Sequence, residues 1–273
     1  MTILQAIIYG IVQGLTEFLP ISSTAHIRIV PAIFGWDDPG AAFTAVMQIG
    51  TMLAVIIYFI KDILRLLKAF SASLIHMKPF ESEDSRMAWW IGFGTIPISV
   101  CGLLLKHFIE TSFRSLWVIS FAMIVLALIL IFAERISKFT RPLDSLTFVD
   151  TQAFGWAQAL ALIPGTSRSG ATITAGMFLG FTREAAARFS FLLSIPAVAL
   201  SGVYELWSIR HALTSQSGLT LIIATLVSGI IGYAAIELLL RYLRSHSMYL
   251  FVVYRFLLGI VIIIFILTGF FKP

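Results

Sequence analysis

Six apolar runs of roughly 20 residues constrain this chain more than any other feature. They fall at 41–60, 89–105, 116–133, 190–207, 219–240 and 248–270. As a helix, each reaches across a hydrocarbon core of about 30 Å at about 1.5 Å per residue. Only 12% of the 273 residues are charged, whereas a soluble domain carries about 25%. An all-α polytopic membrane protein is therefore expected. A transmembrane barrel would need short alternating segments instead. The net charge of +5 is read as a topology signal, not as a footprint for nucleic acid. Cys101 is the one cysteine, which excludes an intrachain disulfide and a cysteine-based metal cluster. No basic stretch precedes the first apolar segment and Glu17 interrupts it, so no cleavable signal peptide is expected.

Two further apolar segments are too short to span. Residues 2–19 and 21–35 are separated by Pro20, and residues 152–163 and 168–180 by Pro164-Gly165. Broken helices persist at membrane depth only where protein or a water-filled cavity satisfies the freed backbone groups. Both pairs are expected to be re-entrant helical hairpins with polar tips. They also resemble each other. "YGIVQGL" at 9–15 matches "FGWAQAL" at 154–160, and a slip of one residue aligns "LPISST" with "IPGTSR". The spacing of about 145 residues implies an internal repeat, roughly 1–140 and 150–273 of a single integral domain. Each half then holds one hairpin and three transmembrane helices. Three crossings is an odd number, so the second half is expected to be inverted, with a site near mid-membrane between the repeats.

The basic residues sort by side. Lys61, Arg65, Lys68, Lys78 and Arg86 fall in one expected loop; Arg135, Lys138, Arg141, Arg183, Arg241 and Arg244 join them on that side. Lys106, Arg114, Arg210 and Lys272 fall opposite. The richer side is expected to be cytoplasmic. Hairpin one then enters from outside and hairpin two from the cytoplasm.

Polar groups in a membrane are costly and face cavities. "GLTEFLPISSTAH" at 14–26 places a carboxylate, three hydroxyls and a histidine within ten residues. Gln13 and Glu17 share a helical face, and so do Ser23 and His26. Serine beside histidine is a nucleophile–base arrangement, and Glu17 is suited to a divalent cation or to proton transfer. In "PGTSRSG", Gly165, Thr166, Ser167 and Ser169 surround Arg168 at a helix start. Backbone N–H groups there bind phosphate, and a guanidinium adds bidentate contacts. Ser22, Thr24 and Gln48 are candidates for the same cavity. Arg28 either snorkels or reaches a phosphate. Glu237 and Arg255 lie symmetrically about a turn near His246 and are expected to pair. His76, His107 and His211 show no metal-ligand spacing. Together these parts suit phosphoryl transfer.

"EFLPISSTAH", "PGTSRSGATITAGMFLG", "RFSFLLSIP" and "YRF" at 254–256 closely resemble the bacterial undecaprenyl-diphosphate phosphatases, also called bacitracin-resistance proteins. The resemblance covers essentially the whole chain. It implies an enzyme of the bacterial cytoplasmic membrane that regenerates the lipid carrier of cell-wall synthesis by removing the terminal phosphate of undecaprenyl diphosphate. It also implies Mg²⁺ or Ca²⁺, a site open to the outer face, and a homodimer. By position it assigns Gln13 and Glu17 as the family's acids, Ser23 and His26 as its hydroxyl and imidazole, and Arg168, with Ser167 and Thr24, as its phosphate-binding group. Two positions depart from the family pattern. Gln13 stands where a second carboxylate is usual, and Ala25 where glycine is common. Ser23 is expected to attack the terminal phosphorus with His26 assisting, and His26 as the direct nucleophile is the alternative. The rival class is a transporter of the polyprenyl phosphate, since inverted repeats and broken helices also suit alternating access. The phosphatase superfamily built on Pro-Ser-Gly-His is excluded, because no downstream histidine and aspartate follow "SR".

Overall fold

The computed structural model describes residues 1–111, 113, 115–210 and 214–271, without the side chains at 41, 110, 215 and 216. Arg114, His211 and Lys272 lie outside the described residues. The chain is a multi-pass, all-helical membrane protein. In order the helices are α1 (Ile3–Phe18), α2 (Ser23–Phe34), α3 (Gly40–Tyr58), α4 (Ile60–Ile75), α5 (Glu83–Leu104), α6 (Lys106–Glu110), α7 (Leu116–Ile136), α8 (Phe148–Leu160), α9 (Arg168–Phe178), α10 (Arg183–Ile209), α11 (Ser215–Leu243) and α12 (Tyr249–Leu267). Among the described residues the sole β-type pairing is the isolated bridge between Arg141 and Phe181.

Five helices, α5, α7, α10, α11 and α12, are long and apolar enough to cross a membrane, and α3 with α4 makes a sixth candidate. Their outward faces carry exposed Val125, Leu128 and Phe132 on α7 and Leu226, Ile230 and Leu238 on α11, a surface stable only against lipid. Hydroxyl caps set several starts. Thr2, Thr147 and Thr214 form capping boxes, and Ser82 and Thr182 cap α5 and α10; each satisfies N–H groups that the first helical turn leaves open.

One expected loop is a helix. Lys61, Arg65 and Lys68 lie on α4, which leaves α3 at an angle of 82°. Its inward stripe of Leu66, Phe70 and Ser73 meets Trp89: the Phe70 and Trp89 rings lie 5.0 Å apart, and the indole N–H donates to Ser73 at 3.2 Å.

Small residues bring the central helices close. A methyl group on Gly10 or Gly14 of α1 would fall within 3 Å of α11 atoms, and one on Gly155 of α8 would reach 2.6 Å from the Gly94 carbonyl of α5. Such contacts replace a hydrophobic drive that lipid does not supply. The core between these helices is aromatic, with Phe18 against Phe191 at 5.2 Å and Phe154 against Phe189 at 4.8 Å. Ion pairs gather at one end of the bundle: Arg141–Asp150, Arg183–Glu134, Arg188–Asp62 and Arg244–Glu184.

Two positions in the short helix pairs are conformational outliers of the same kind. Ser22 has φ 73° and ψ 96°, and Ser167 has φ 70° and ψ 115°; each is the N-cap of the second helix of its pair. Gly35 and Gly180 follow these helices at φ 65° and 85°. Both matches occur at a spacing of about 145 residues, the spacing that also separates Gln13 from Gln158. Backbone geometry therefore pairs Ser22 with Ser167 directly, and the one-residue slip suggested by the prolines is not needed.

Candidate active site

The site is built where the tips of the two short helix pairs meet. α1 ends at Phe18, two residues before Pro20, whose ring and missing N–H cannot continue a helix. The last two turns of α1 present Gln13 and Glu17, both buried. After the turn, Ser22 caps α2 by accepting from the Ala25 N–H at 3.4 Å. The second tip repeats the device: Ser167 caps α9 through the Gly170 N–H at 3.1 Å. Non-glycine residues at positive φ cost about 1–3 kcal/mol each and persist where the surroundings over-determine them.

Three bridges over-determine them here. The Gly165 N–H donates to the Thr24 hydroxyl at 3.4 Å, and the Ser169 hydroxyl donates to the Leu19 carbonyl at 3.1 Å. The third is Arg255 on α12. Its fully buried guanidinium donates to the carbonyls of Pro20 at 3.0 Å, Gly165 at 2.8 Å and Thr166 at 3.0 Å. The expected Glu237–Arg255 pair does not form. Glu237 accepts from Tyr58 at 2.5 Å and from Arg241 at 3.2 Å. Arg255 faces inward and Glu237 outward, so symmetry about the turn did not bring them together.

Glu17 is the hub. One carboxylate oxygen accepts from Arg168 at 2.6 Å; the other accepts from the Ser23 hydroxyl at 2.7 Å and from the Gln13 amide at 2.8 Å. The group that orients Ser23 is thus Glu17, not His26. The His26 Nδ1 contacts the Ser22 carbonyl at 2.7 Å and Nε2 contacts the Tyr254 hydroxyl at 2.6 Å, with the two rings stacked. A carbonyl only accepts, so Nδ1 carries a proton, and in the neutral ring Nε2 accepts from Tyr254.

A cavity of about 570 Å³ opens over this hub. Glu17, Ser22, Ser23, Thr24, Gln48, Ser167 and Arg168 line it; Gln13, His26, Gly165, Thr166 and Ser169 do not. Two polar atoms at the hub are buried without a hydrogen-bond partner, Gln13 Oε1 and Arg168 Nη1. Sequence reasoning placed Glu17, Ser23 and Arg168 together from their charge and spacing. It missed Tyr254 and took Arg255 for a partner of Glu237. The signal for both was a polar pair inside the apolar run 248–270.

No group of three or more His, Cys, Asp or Glu side chains able to hold a metal ion occurs among the described residues. One carboxylate, already shared with a guanidinium, and one unpartnered amide oxygen fit a divalent cation that takes its remaining ligands from bound phosphate. They do not make a closed site of their own.

Gly165 gives a direct test of the tip geometry. It has φ 92°, and a Cβ there would stand 2.3 Å from the Ile119 carbonyl oxygen. Gly165→Ala is expected to cost about 2–4 kcal/mol of stability from backbone strain and overpacking. Gly35→Ala, at φ 65° but with nothing within 4 Å, is expected to cost about 1 kcal/mol. Thermal unfolding of the detergent-solubilised variants compares the two; equal shifts would contradict the close approach.

The family model described as "Bacitracin resistance protein BacA" matches residues 6–261. A protein named undecaprenyl-diphosphatase from Chloroherpeton thalassium is 55% identical over 278 residues, with 98% of each chain covered. One of the same name from Myxococcus xanthus is 52% identical over 273 residues, covering 100% of this chain and 92% of that one.

Proposed function

This chain belongs to the bacitracin resistance protein BacA family, and on that premise we propose that it hydrolyses undecaprenyl diphosphate to undecaprenyl phosphate and inorganic phosphate. The observation that carries the reading is the buried hub: a serine hydroxyl donating to a carboxylate whose other oxygen holds an arginine. It lies on the floor of a cavity walled by Ile98, Leu103, Val198 and Leu200. Leu103 and Leu200 are also largely exposed, which gives the open cavity an apolar wall suited to a polyprenyl substrate.

In this reading Ser23 attacks the terminal phosphorus in line with the bridging oxygen. Its proton passes to Glu17, the P–O bond to the bridging oxygen breaks, and the lipid monophosphate leaves. Water then cleaves the phosphoserine and restores the hydroxyl. Arg168, with Nη1 unpartnered, takes a phosphate oxygen and stabilises the charge that spreads over the equatorial oxygens. His26, fixed between Ser22 and Tyr254, shapes the tip instead of attacking. Glu17, which lines the cavity, would hold a Mg²⁺ or Ca²⁺ ion beside the substrate, with the buried Gln13 amide oxygen next to it. When bound, it supplies further neutralisation of phosphate charge.

The finer architecture is part of the same proposal. Each half holds one re-entrant hairpin, α1–α2 or α8–α9, and three crossings, α3, α5 and α7 or α10, α11 and α12, with the second half inverted. Three observations support this: the matched outliers at Ser22 and Ser167, the matched glycines at 35 and 180, and packing in which α1 meets α11 as α8 meets α5. The end carrying Arg65, Arg188 and Arg244 is then cytoplasmic, and the cavity, rimmed by Lys106 and Tyr204, faces outward from the bacterial cytoplasmic membrane.

Purified protein in proteoliposomes is expected to release phosphate from C55 and C15 diphosphates, and to lose that release in EDTA. Labelled lipid phosphate that changes leaflet with no phosphate release would support a transporter instead.

A further inference from the structure

The cavity holds a second guanidinium that this chemistry does not use. Arg28 lies on α2, one turn beyond Thr24, and both side chains line the cavity that contains Ser23 and Arg168. Residues four apart on a helix share a face, so Thr24 and Arg28 form a polar strip leading away from the tip. The Nε of Arg28 is buried and makes no hydrogen bond. It forms an ion pair with Asp38 at 3.7 Å, too long for a hydrogen bond. Arg168 is in a similar position: it is anchored on Glu17 through Nη2, while Nη1 is buried without a partner. The cavity therefore presents two guanidinium groups from two different tips, each with an unmet N–H. Its third cation, Lys106, is engaged with the Tyr204 hydroxyl at 2.8 Å at the rim.

We propose that Arg28 forms a second anion subsite, which binds the phosphate that stays on the lipid while Arg168 binds the phosphate that leaves. This rests on the phosphatase reading above. Five residues of helix separate Ser23 from Arg28, about 7.5 Å of rise, a distance that an extended arginine side chain can fold back across. A diphosphate engages both guanidinium groups at once. A monophosphate, which is the product, engages one. Arg28 thus distinguishes substrate from product and neutralises charge that grows on the departing lipid phosphate. Asp38, too far for a hydrogen bond, steers the side chain without saturating it.

The test uses the full chain in detergent with two uncleavable probes, farnesyl methylenediphosphonate and farnesyl phosphonate, titrated by calorimetry. Wild type is expected to bind the diphosphonate more tightly. Arg28→Gln is expected to weaken diphosphonate binding roughly 10- to 100-fold, the range for one charge-assisted contact, and to shift monophosphonate binding less than about twofold. Arg28→Lys should recover part of the loss, and Asp38→Asn should not reproduce it. Methylenediphosphonate without a lipid should show the same dependence on Arg28 at lower affinity, which separates headgroup recognition from tail binding. If Arg28→Gln weakens both lipid probes by one factor, or if Asp38→Asn has the same effect, Arg28 is structural and the subsite is overturned. If wild type binds neither probe, the phosphatase reading fails and takes the subsite with it.

Discussion

Ser23→Ala is expected to reduce phosphate release by about 10⁴-fold or more, the scale seen when a nucleophile is deleted from a unit that acts as one. The side chain is small and buried, so its loss leaves no large cavity. Glu17 keeps its bonds from Arg168 and Gln13, and the anion-binding groups stay in place. Lipid diphosphate binding should therefore change little while turnover disappears. His26→Ala provides the contrast. It removes the links to Ser22 and Tyr254 and should lower both turnover and thermal stability without abolishing release. Release that survives Ser23→Ala and vanishes in His26→Ala would transfer the nucleophile to His26.

Glu17→Gln should have the next largest effect, a loss of about 10²- to 10⁴-fold in turnover, as for a positioned general base. Three bonds converge on this carboxylate. Its amide replacement accepts fewer of them, cannot take the Ser23 proton, and leaves Arg168 without a counter-charge in a low-dielectric site. The activation curve for Mg²⁺ should also move to higher concentration. Gln13→Glu acts in the opposite sense. It sets a second carboxylate within hydrogen-bond range of the first, and two such groups favour a shared cation, so half-maximal activation should fall to lower metal concentration. Wild-type turnover in Glu17→Gln with an unchanged metal titration would remove Glu17 from the mechanism.

The parts of the site that were legible in the sequence were those whose cost is local. Glu17 and Arg168 stand out because a charge in an apolar run needs a reason. Pro20 and Pro164-Gly165 stand out because the runs beside them are too short to span. Groups whose partners lie far along the chain were not legible. Nothing near Arg255 announces that its guanidinium ends on carbonyls of residues 20, 165 and 166; symmetry about a turn suggested Glu237, which faces outward. The serine–histidine pairing rested on a shared helical face, and that face is divided: Ser23 turns to Glu17 and His26 to Tyr254. Helix α4 was hidden by Lys61, Arg65 and Lys68, although Leu66, Phe70 and Ser73 already had a helical spacing.

Arg255 also imposes an order in time. The residues it clamps belong to the first and second short helix pairs, but the clamp sits on α12, the last of the described helices to be synthesised. Until residue 255 has left the ribosome and its helix has inserted, Pro20, Gly165 and Thr166 lack their shared donor. The strained serines at 22 and 167 are then held without that donor, by the links between Thr24 and Gly165, between Ser169 and Leu19 and between Glu17 and Arg168. A partly made chain therefore sits in the bilayer with its two tips only partly fastened, and they reach their final hold when α12 arrives.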